Sequence, residues 1–420
     1  MKKPSRAKQK EALAAAAAAV AVPARCDVAV IGGGAAGLAA AATAAEAGAS
    51  VVVLERDLEC GKKILATGNG RCNFANERLD AERFNDPGFV RAVCGKGDAW
   101  LADVLAFWRA CGLAWVSEDG RLYPASLQAA SVRNVLLDRC RRAGVILAPG
   151  REVTRLDALP TRAASVVLAC GGGEALVSGL GLKTRAFTPV LCPIAAAPVD
   201  VRVDTAMLDG RRARVRAVLL RGGREAFAED GEVLFRPWGL SGIVMFDLSR
   251  RARPGDVVRL DLTCGRAPAE LEGVCADGLL DPRVAGALGG GDAAIARARA
   301  LDFRVEGLVE TNKAQVMQGG LLADQFDAAT LSARTRPGLF ACGEALDVDA
   351  DCGGLNLAWA WKSGMVAGAG AAAAAACGAG AAAAVACGRG ASEAVRASAA
   401  PGTPIAAARA PRSERDGFSC

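Results

Sequence analysis

The sequence predicts an α/β fold: a doubly wound, Rossmann-like domain with an inserted antiparallel β-barrel and a small helical domain. Three observations carry that expectation. An apolar run from Val28 to Ile31 passes directly into Gly32-Gly33-Gly34-Ala35-Ala36-Gly37. A second apolar run, Val51 to Leu54, ends in an acid, Glu55. From about Pro189 the texture changes to short strand-like pieces separated by turns.

Val28 to Ile31 has the all-apolar character of a strand buried on both faces of a parallel sheet. The G-x-G-x-x-G that follows opens an alanine-rich helix to about Ala47, and Gly48 supplies a left-handed stop. Gly32 makes the tight turn, Gly34 lets a pyrophosphate approach the backbone, and Gly37 lets helix and strand pack closely. Amides at the helix start favour a diphosphate. Glu55 stands where a carboxylate accepts hydrogen bonds from an adenosine ribose. Gly289-Gly290-Gly291-Asp292-Ala293-Ala294 fits a looser version of the same motif. No strand leads into it and no acid-ended strand follows, so it reads as a loop.

The stretch from Cys60 to Asn76 is rich in Gly, Asn and Thr and reads as a loop placed for ligand contact. A helix is expected over 98–115, a turn and short strand over 118–124, and a helix from Ala129 to Ala143. Strands are expected at Val145–Leu147, Val153–Leu156 and Ala164–Leu168, the last running into Ala169-Cys170-Gly171, where a chain passes close to a ligand or another strand. Barrel strands fall at 195–201, 215–220, 225–228, 231–235 and 257–262. Arg212, Arg214 and Arg216 share one strand face, read as solvated in preference to phosphate-binding. Residues 268–303 read as a small helical piece. A short strand near Leu339, an acid, a glycine pair and a helix then repeat the logic of an anion-binding helix terminus.

The 420-residue chain has ample core for two or three domains. The formal charge of +6 is concentrated at the ends, with +4 in residues 1–11 and +1 in residues 401–420. A near-neutral body is weak support for a nucleic-acid partner. The chain has no histidine, which excludes His-based triads and His-ligated metals. No C-x-x-C pair occurs among the fifteen cysteines, so no metal site is expected and the thiols read as those of a reduced, cytoplasmic protein. Residues 1–25 resemble a signal peptide superficially, but the apolar part is mostly alanine and Arg25-Cys26 is a poor cleavage site. They are expected to form a flexible or helical extension. No membrane span is expected, and 388–420 is expected to be a disordered tail.

Several separated stretches converge on a known family. DVAVIGGGAAGLAAA at 27–41, GKKILATGNGRCNFAN at 61–76, RLYPASLQAASV at 121–132, LFRPWGLSGIVMFDLS at 234–249 and GLFACGEALDVDADCGGLNLAWAWKSGMVAG at 338–368 resemble the BaiN-like (BaiN/RdsA, aminoacetone-oxidase-like) NAD(P)/FAD-dependent oxidoreductases. The resemblance implies an FAD-binding domain from 26–190 and 310–375, and a substrate domain of barrel and helices from 191–309. It places Gly32, Gly34, Ala36 and Gly37 at the FAD diphosphate, with Glu55 and Arg56 at the adenosine. Lys63, Thr67, Gly68, Asn69, Gly70, Arg71, Cys72 and Asn73 would run from diphosphate to isoalloxazine. Ala169, Cys170 and Gly171 would lie under the adenosine half. Gly343 and Glu344 would meet the ribityl chain, and Gly354, Asn356 and a helix start at Leu357 the pyrimidine end.

The chain departs from the family at Met317 and Cys352, both often threonine, and at Arg236-Pro237-Trp238. These departures lie on the substrate side. Related disulfide reductases carry a Cys-x4-Cys pair near Cys72, but Glu77 stands in the fifth position here. Direct hydride exchange between flavin and substrate follows. The resemblance implies NAD(P)H as a transient donor and reduction of an activated C=C bond in a small molecule. Alternatives are reduction of a uridine in ribosomal RNA, peroxide-producing amine oxidation, and a non-catalytic FAD-binding module. Tyr123, Cys72 and Cys352 are the proton-donor candidates, alongside Lys62 or a carboxylate.

Overall fold

In the computed structural model, which describes residues 5–391, the first apolar run becomes the centre of a five-stranded parallel sheet. Its order is Leu339–Ala341, Arg162–Leu168, Arg25–Ile31, Val51–Glu55, Ile146–Pro149. Ile31 is in register with Leu168 on one side and Leu54 on the other, and Leu168 with Ala341. Gly32, Ala169 and Cys342 therefore follow three strand ends along one edge. In open α/β sheets that carboxyl edge is where ligands bind.

The alanine richness has a packing cause. Helix Ala35–Glu46 is buried along almost its whole length, and the last helix, Leu355–Ala391, crosses it at short range. A Cβ on Gly364 would lie 2.4 Å from the carbonyl oxygen of Ala36, and one on Gly368 2.2 Å from that of Ala40. Larger residues would push the two helices apart. Trp361 donates from Nε1 to the Phe74 carbonyl at 2.9 Å and meets Trp108 edge-on at 4.9 Å between ring centres. That aromatic cluster anchors the end of the 60–76 stretch to the last helix.

The inserted barrel is closed and antiparallel, in the order Arg212–Arg221, Arg224–Arg236, Gly239–Ser241, Ile194–Pro198, Leu301–Leu308, Val257–Asp261. Val215, Ala217, Leu219, Val233, Phe235, Leu260 and Phe303 fill it. The alternating arginines 212, 214 and 216 face solvent, and Arg212 and Arg216 pair with Glu232 and Asp230 of the neighbouring strand. Strands Thr184–Val190 and Val316–Leu321 pair antiparallel where the chain leaves and re-enters the sheet domain. Among the described residues, those up to Ala376 form one compact unit, and 377–391 fall in a second.

Several expectations from the sequence need correction. The helix expected over 98–115 ends at Ala110, because Gly112 turns with a φ of 78° and Trp115–Glu118 becomes a strand. Val153–Leu156 is not a strand; a 3-10 turn, Leu156–Ala158, follows instead. The pieces 225–228 and 231–235 are one continuous strand, and the helical piece ends before Leu301, which begins a strand of the barrel wall. The Gly289 stretch is not a loop: Gly290 caps helix Gly291–Ala298. The N-terminal extension takes the helical one of its two expected forms over its described part. Arg6–Ala18 is helical, capped by Ser5, and Val20 and Val22 pack beside Cys26, Ala29 and Val52. Of the tail expected to be disordered, 388–391 continues the last helix; 392–420 lies outside the described residues. No helix among the described residues is long and apolar enough to cross a membrane.

Candidate active site

The carboxyl edge of the sheet opens into a cavity of about 710 Å³. It runs from the glycine loop at Gly32 to the start of the last helix. Gly32, with a φ of 106°, turns so tightly that a Cβ would lie 2.3 Å from the Ala169 carbonyl oxygen. On Gly37 a Cβ would lie 1.9 Å from the Gly32 carbonyl oxygen. Gly34 is different. Its Cβ would meet nothing within 4 Å, so this is the glycine that leaves space for a ligand. Glu55 accepts from the Gly33 amide at 2.6 Å and from the Asp57 amide at 2.7 Å. A carboxylate has about four acceptor sites, so ribose hydroxyls can still reach it.

The 60–76 stretch is a kinked 3-10 segment, Lys63–Gly70, with Gly68 and Asn69 in left-handed conformation. Gly68 and Asn69 thereby turn into the cavity, as do Lys63, Thr67, Arg71 and Asn73. Lys63 pairs with Glu344 at 2.9 Å. Arg71 pairs with Glu118 at 2.6 Å, which raises its basicity further, and lies 4.4 Å above the Tyr123 ring. Tyr123 is almost buried beneath it and still lines the cavity.

At the far end, Gly353 and Gly354 take φ values of 111° and 91° and lead into the last helix. That helix begins at Leu355, two residues before the expected start, and Ala358 donates to the Gly354 carbonyl. Its first amides have no partner within the helix, and its positive end faces the cavity. A Cβ on Gly354 would lie 2.5 Å from the Ala75 carbonyl oxygen and 2.8 Å from Asn73 Oδ1. Asn73 Oδ1 is buried and has no hydrogen-bond donor.

Ala36, Arg56, Ala169, Cys170, Gly171, Gly343, Asn356, Leu357 and Cys352 also line this cavity. Gly37, Gly70 and Cys72 do not. Gly37 is taken up in packing. Cys72 is fully buried among core side chains, and burial pushes its thiol up to about 11. It is therefore not a proton donor facing the cavity. Asn356 is also redirected: its amide bonds both the N–H and the C=O of Ala350 at 2.9 and 2.8 Å, bracing the loop.

The barrel side of the cavity contributes Leu191, Ile243, Phe246 and Val316, an apolar wall beside Cys352. Behind it lies a charged cluster that none of the expected site residues indicated. Arg250 is buried and bonds Asp349 at 2.6 Å and Asp351; Arg251 reaches Asp351 at 2.8 Å and Arg83 reaches it at 3.3 Å. The Cys352 amide donates to Asp247 at 2.5 Å, and Asp247 contacts Glu229. Burial and the neighbouring Asp247 push Glu229 up to about 8. One signal was available: Asp347, Asp349 and Asp351 alternate with apolar residues, yet all are buried, and buried acids require partners.

Residues 26–370 match the family described as HI0933-like protein Rossmann domain. The chain belongs to this family. It contains the BaiN-like proteins that the sequence resembles, so membership makes the chain a flavoprotein oxidoreductase with a Rossmann core. Within reach of this HI0933-like chain is the 3-dehydro-bile acid delta(4,6)-reductase of Clostridium scindens. It is 34% identical over 82% of the chain and 98% of the relative. A ribosomal RNA dihydrouridine synthase of Escherichia coli is 25% identical over 81% and 96% respectively. Among solved structures, the 3-ketosteroid-delta4-(5alpha)-dehydrogenase of Rhodococcus jostii RHA1 aligns at 15% identity and a TM-score of 0.45, over 84% of this chain and 98% of that one.

Proposed function

We propose that the cavity holds FAD, extended from Glu55 to Gly354, and that the chain uses it to reduce an activated C=C bond of a small molecule with electrons from NAD(P)H. The observation that carries this reading is the continuity of the cavity from an open glycine at Gly34 to an orphaned acceptor, Asn73 Oδ1, beside a helix start. A diphosphate suits the first end, and a flat ring bearing N–H donors suits the second. The 34%-identical relative, named for reducing a bile-acid derivative, supports the substrate class.

Bound FAD would supply a two-electron hydride donor. The chain supplies the rest. Backbone amides after Gly34 and the Lys63 cation would hold the diphosphate, and Glu55 the ribose. The Leu355 helix terminus would favour negative charge at the ring end beside Gly354. Leu191, Phe246 and Val316 would exclude water on the barrel side. Cys352 and Tyr123 both line the cavity, and either could give a proton to the reduced product; Cys72 cannot. For RNA, the outer arginines offer little, since Arg212 and Arg216 are already paired with acids.

The test is to reduce the FAD-loaded protein anaerobically with NADPH or NADH, then add a 3-oxo-4-ene steroid, a uridine-containing RNA, or oxygen. Fastest flavin reoxidation by the steroid is expected. Fastest reoxidation by oxygen, with peroxide release, would favour the oxidase, and by RNA the uridine reductase.

A further inference from the structure

Two carboxyl groups meet behind Cys352 in a way that two carboxylates could not. Asp247, on helix Ile243–Ser249, is almost fully buried, and Glu229, on strand Arg224–Arg236, lies within hydrogen-bond reach of it. Glu229 Oε2 is buried and finds no N–H or O–H donor. Both groups accept and neither donates when ionised, so a proton between them is what satisfies the contact. The surrounding charges do not remove the need for it. Arg83, from the Ala81–Arg83 turn, reaches Glu229 Oε1 only at 3.4 Å and also serves Asp351. Arg250 and Arg251 are committed to Asp349 and Asp351, and Arg251 approaches Asp247 only at its backbone carbonyl. Asp351 adds a further negative charge from the loop before the last helix.

The pair is connected to the cavity through one residue. Asp247 Oδ1 accepts from the Cys352 amide, and the Asp247 carboxyl lies beside the Cys352 thiol. Cys352 lines the cavity beside Phe246, Leu191 and Val316. Resting on the reading that this cavity reduces a C=C bond, we propose that Glu229 and Asp247 share one proton and act as a proton store that recharges the Cys352 thiol after it protonates the substrate.

The balance is simple. With bound flavin supplying the hydride, the substrate double bond would take its proton from Cys352 Sγ, so that one C–H bond would form at each carbon. The resulting thiolate takes the shared proton through Asp247, leaving two carboxylates, which regain a proton from solvent. Burial and the neighbouring Asp247 hold the Cys352 thiol above its ordinary range, so once ionised it is a strong base beside the shared proton. Cys352 is the residue that touches substrate; Glu229 and Asp247 act through it.

The store can be read without any substrate. Infrared spectra of the FAD-loaded wild type, taken from about pH 6 to about pH 10, should show a protonated-carboxyl C=O band that disappears with a midpoint of about 8. The band should be missing in both E229Q and D247N, each a near-isosteric change, and retained in C352A. No titrating band in the wild type, or a band that survives in both variants, would overturn the proposal. A second readout uses light-reduced holoenzyme mixed with a 3-oxo-4-ene steroid. Reduction should slow by roughly tenfold or more in E229Q, with a flattened pH profile and unchanged bound flavin. An unchanged rate and profile in E229Q would refute the store's role in turnover. A wild type that shows the band but does not reduce the steroid would contradict the substrate reading while leaving the store supported.

Discussion

The two ends of the cavity are built by opposite means. The glycine-loop end is made of backbone: Gly32, Gly34 and Gly37 act by lacking side chains, Gly32 against the Ala169 carbonyl and Gly37 against the carbonyl of Gly32. The barrel side is made of long charged side chains brought together across the fold. Arg83 and Glu229 are separated by 146 positions, and Arg250 and Asp349 by 99. At Gly32 and Gly37 the first design leaves no room for an added atom. The second tolerates shape changes but not the loss of one charge without its partner.

That contrast can be broken from either side. The largest effect is expected for Gly32→Ala. The φ of 106° alone costs about 1–3 kcal/mol in a non-glycine residue, and the added Cβ would strike the Ala169 carbonyl. Loss of bound flavin and a lower urea midpoint should appear together. A wild-type flavin content would show that the glycine loop is not the constraint described. On the barrel side, Arg250→Met leaves Asp349 and Asp351 buried with fewer cations, for an expected cost of about 3–5 kcal/mol by urea unfolding. Flavin content at low urea should change little, because the glycine-loop end is untouched.

A smaller, pH-dependent effect is expected for Glu229→Gln. A carboxyl raised to about 8 in the folded state binds a proton that the unfolded chain, with its glutamate near 4.3, has released. Between those limits wild-type stability therefore falls as pH rises, by up to about 1.4 kcal/mol per pH unit from this group. E229Q lacks that slope, so the stability difference between the two should swing in favour of the variant from pH 6 towards about pH 8. Parallel stability curves would contradict the shared-proton account. The smallest effect belongs to the outer barrel face. Replacing both Arg212 and Arg216 with Ala removes two exposed ion pairs worth at most about 1 kcal/mol each. Steroid reduction should be unaffected, and a selective loss of RNA reduction would sharpen the choice of substrate.

The same contrast explains what could be read from the sequence. Gly32 to Gly37 and Glu55 were legible because their roles depend on neighbours a few positions away and on a strand–helix–strand order that periodicity reveals. The barrel was legible as a change of texture, but Leu301–Leu308 was missed because the preceding helices gave no stop before it. Composition already marked the Cys60–Asn76 segment for ligand contact, while only the fold showed that Cys72 turns inward and Asn356 braces Ala350. Glu229 and Asp247 were invisible because neither sits in a spacing that carries chemistry alone. Their meaning comes from burial and from each other.

The central claim is that one continuous cavity holds FAD and accepts electrons from a nicotinamide donor. The most direct measurement is the visible spectrum of the purified chain after incubation with FAD and gel filtration, followed by anaerobic NADPH and NADH. One flavin per chain, bleached by at least one of the two donors, is the predicted result. A colourless protein that cannot retain FAD would contradict the cavity assignment, and retained flavin that neither donor reduces would contradict the electron source.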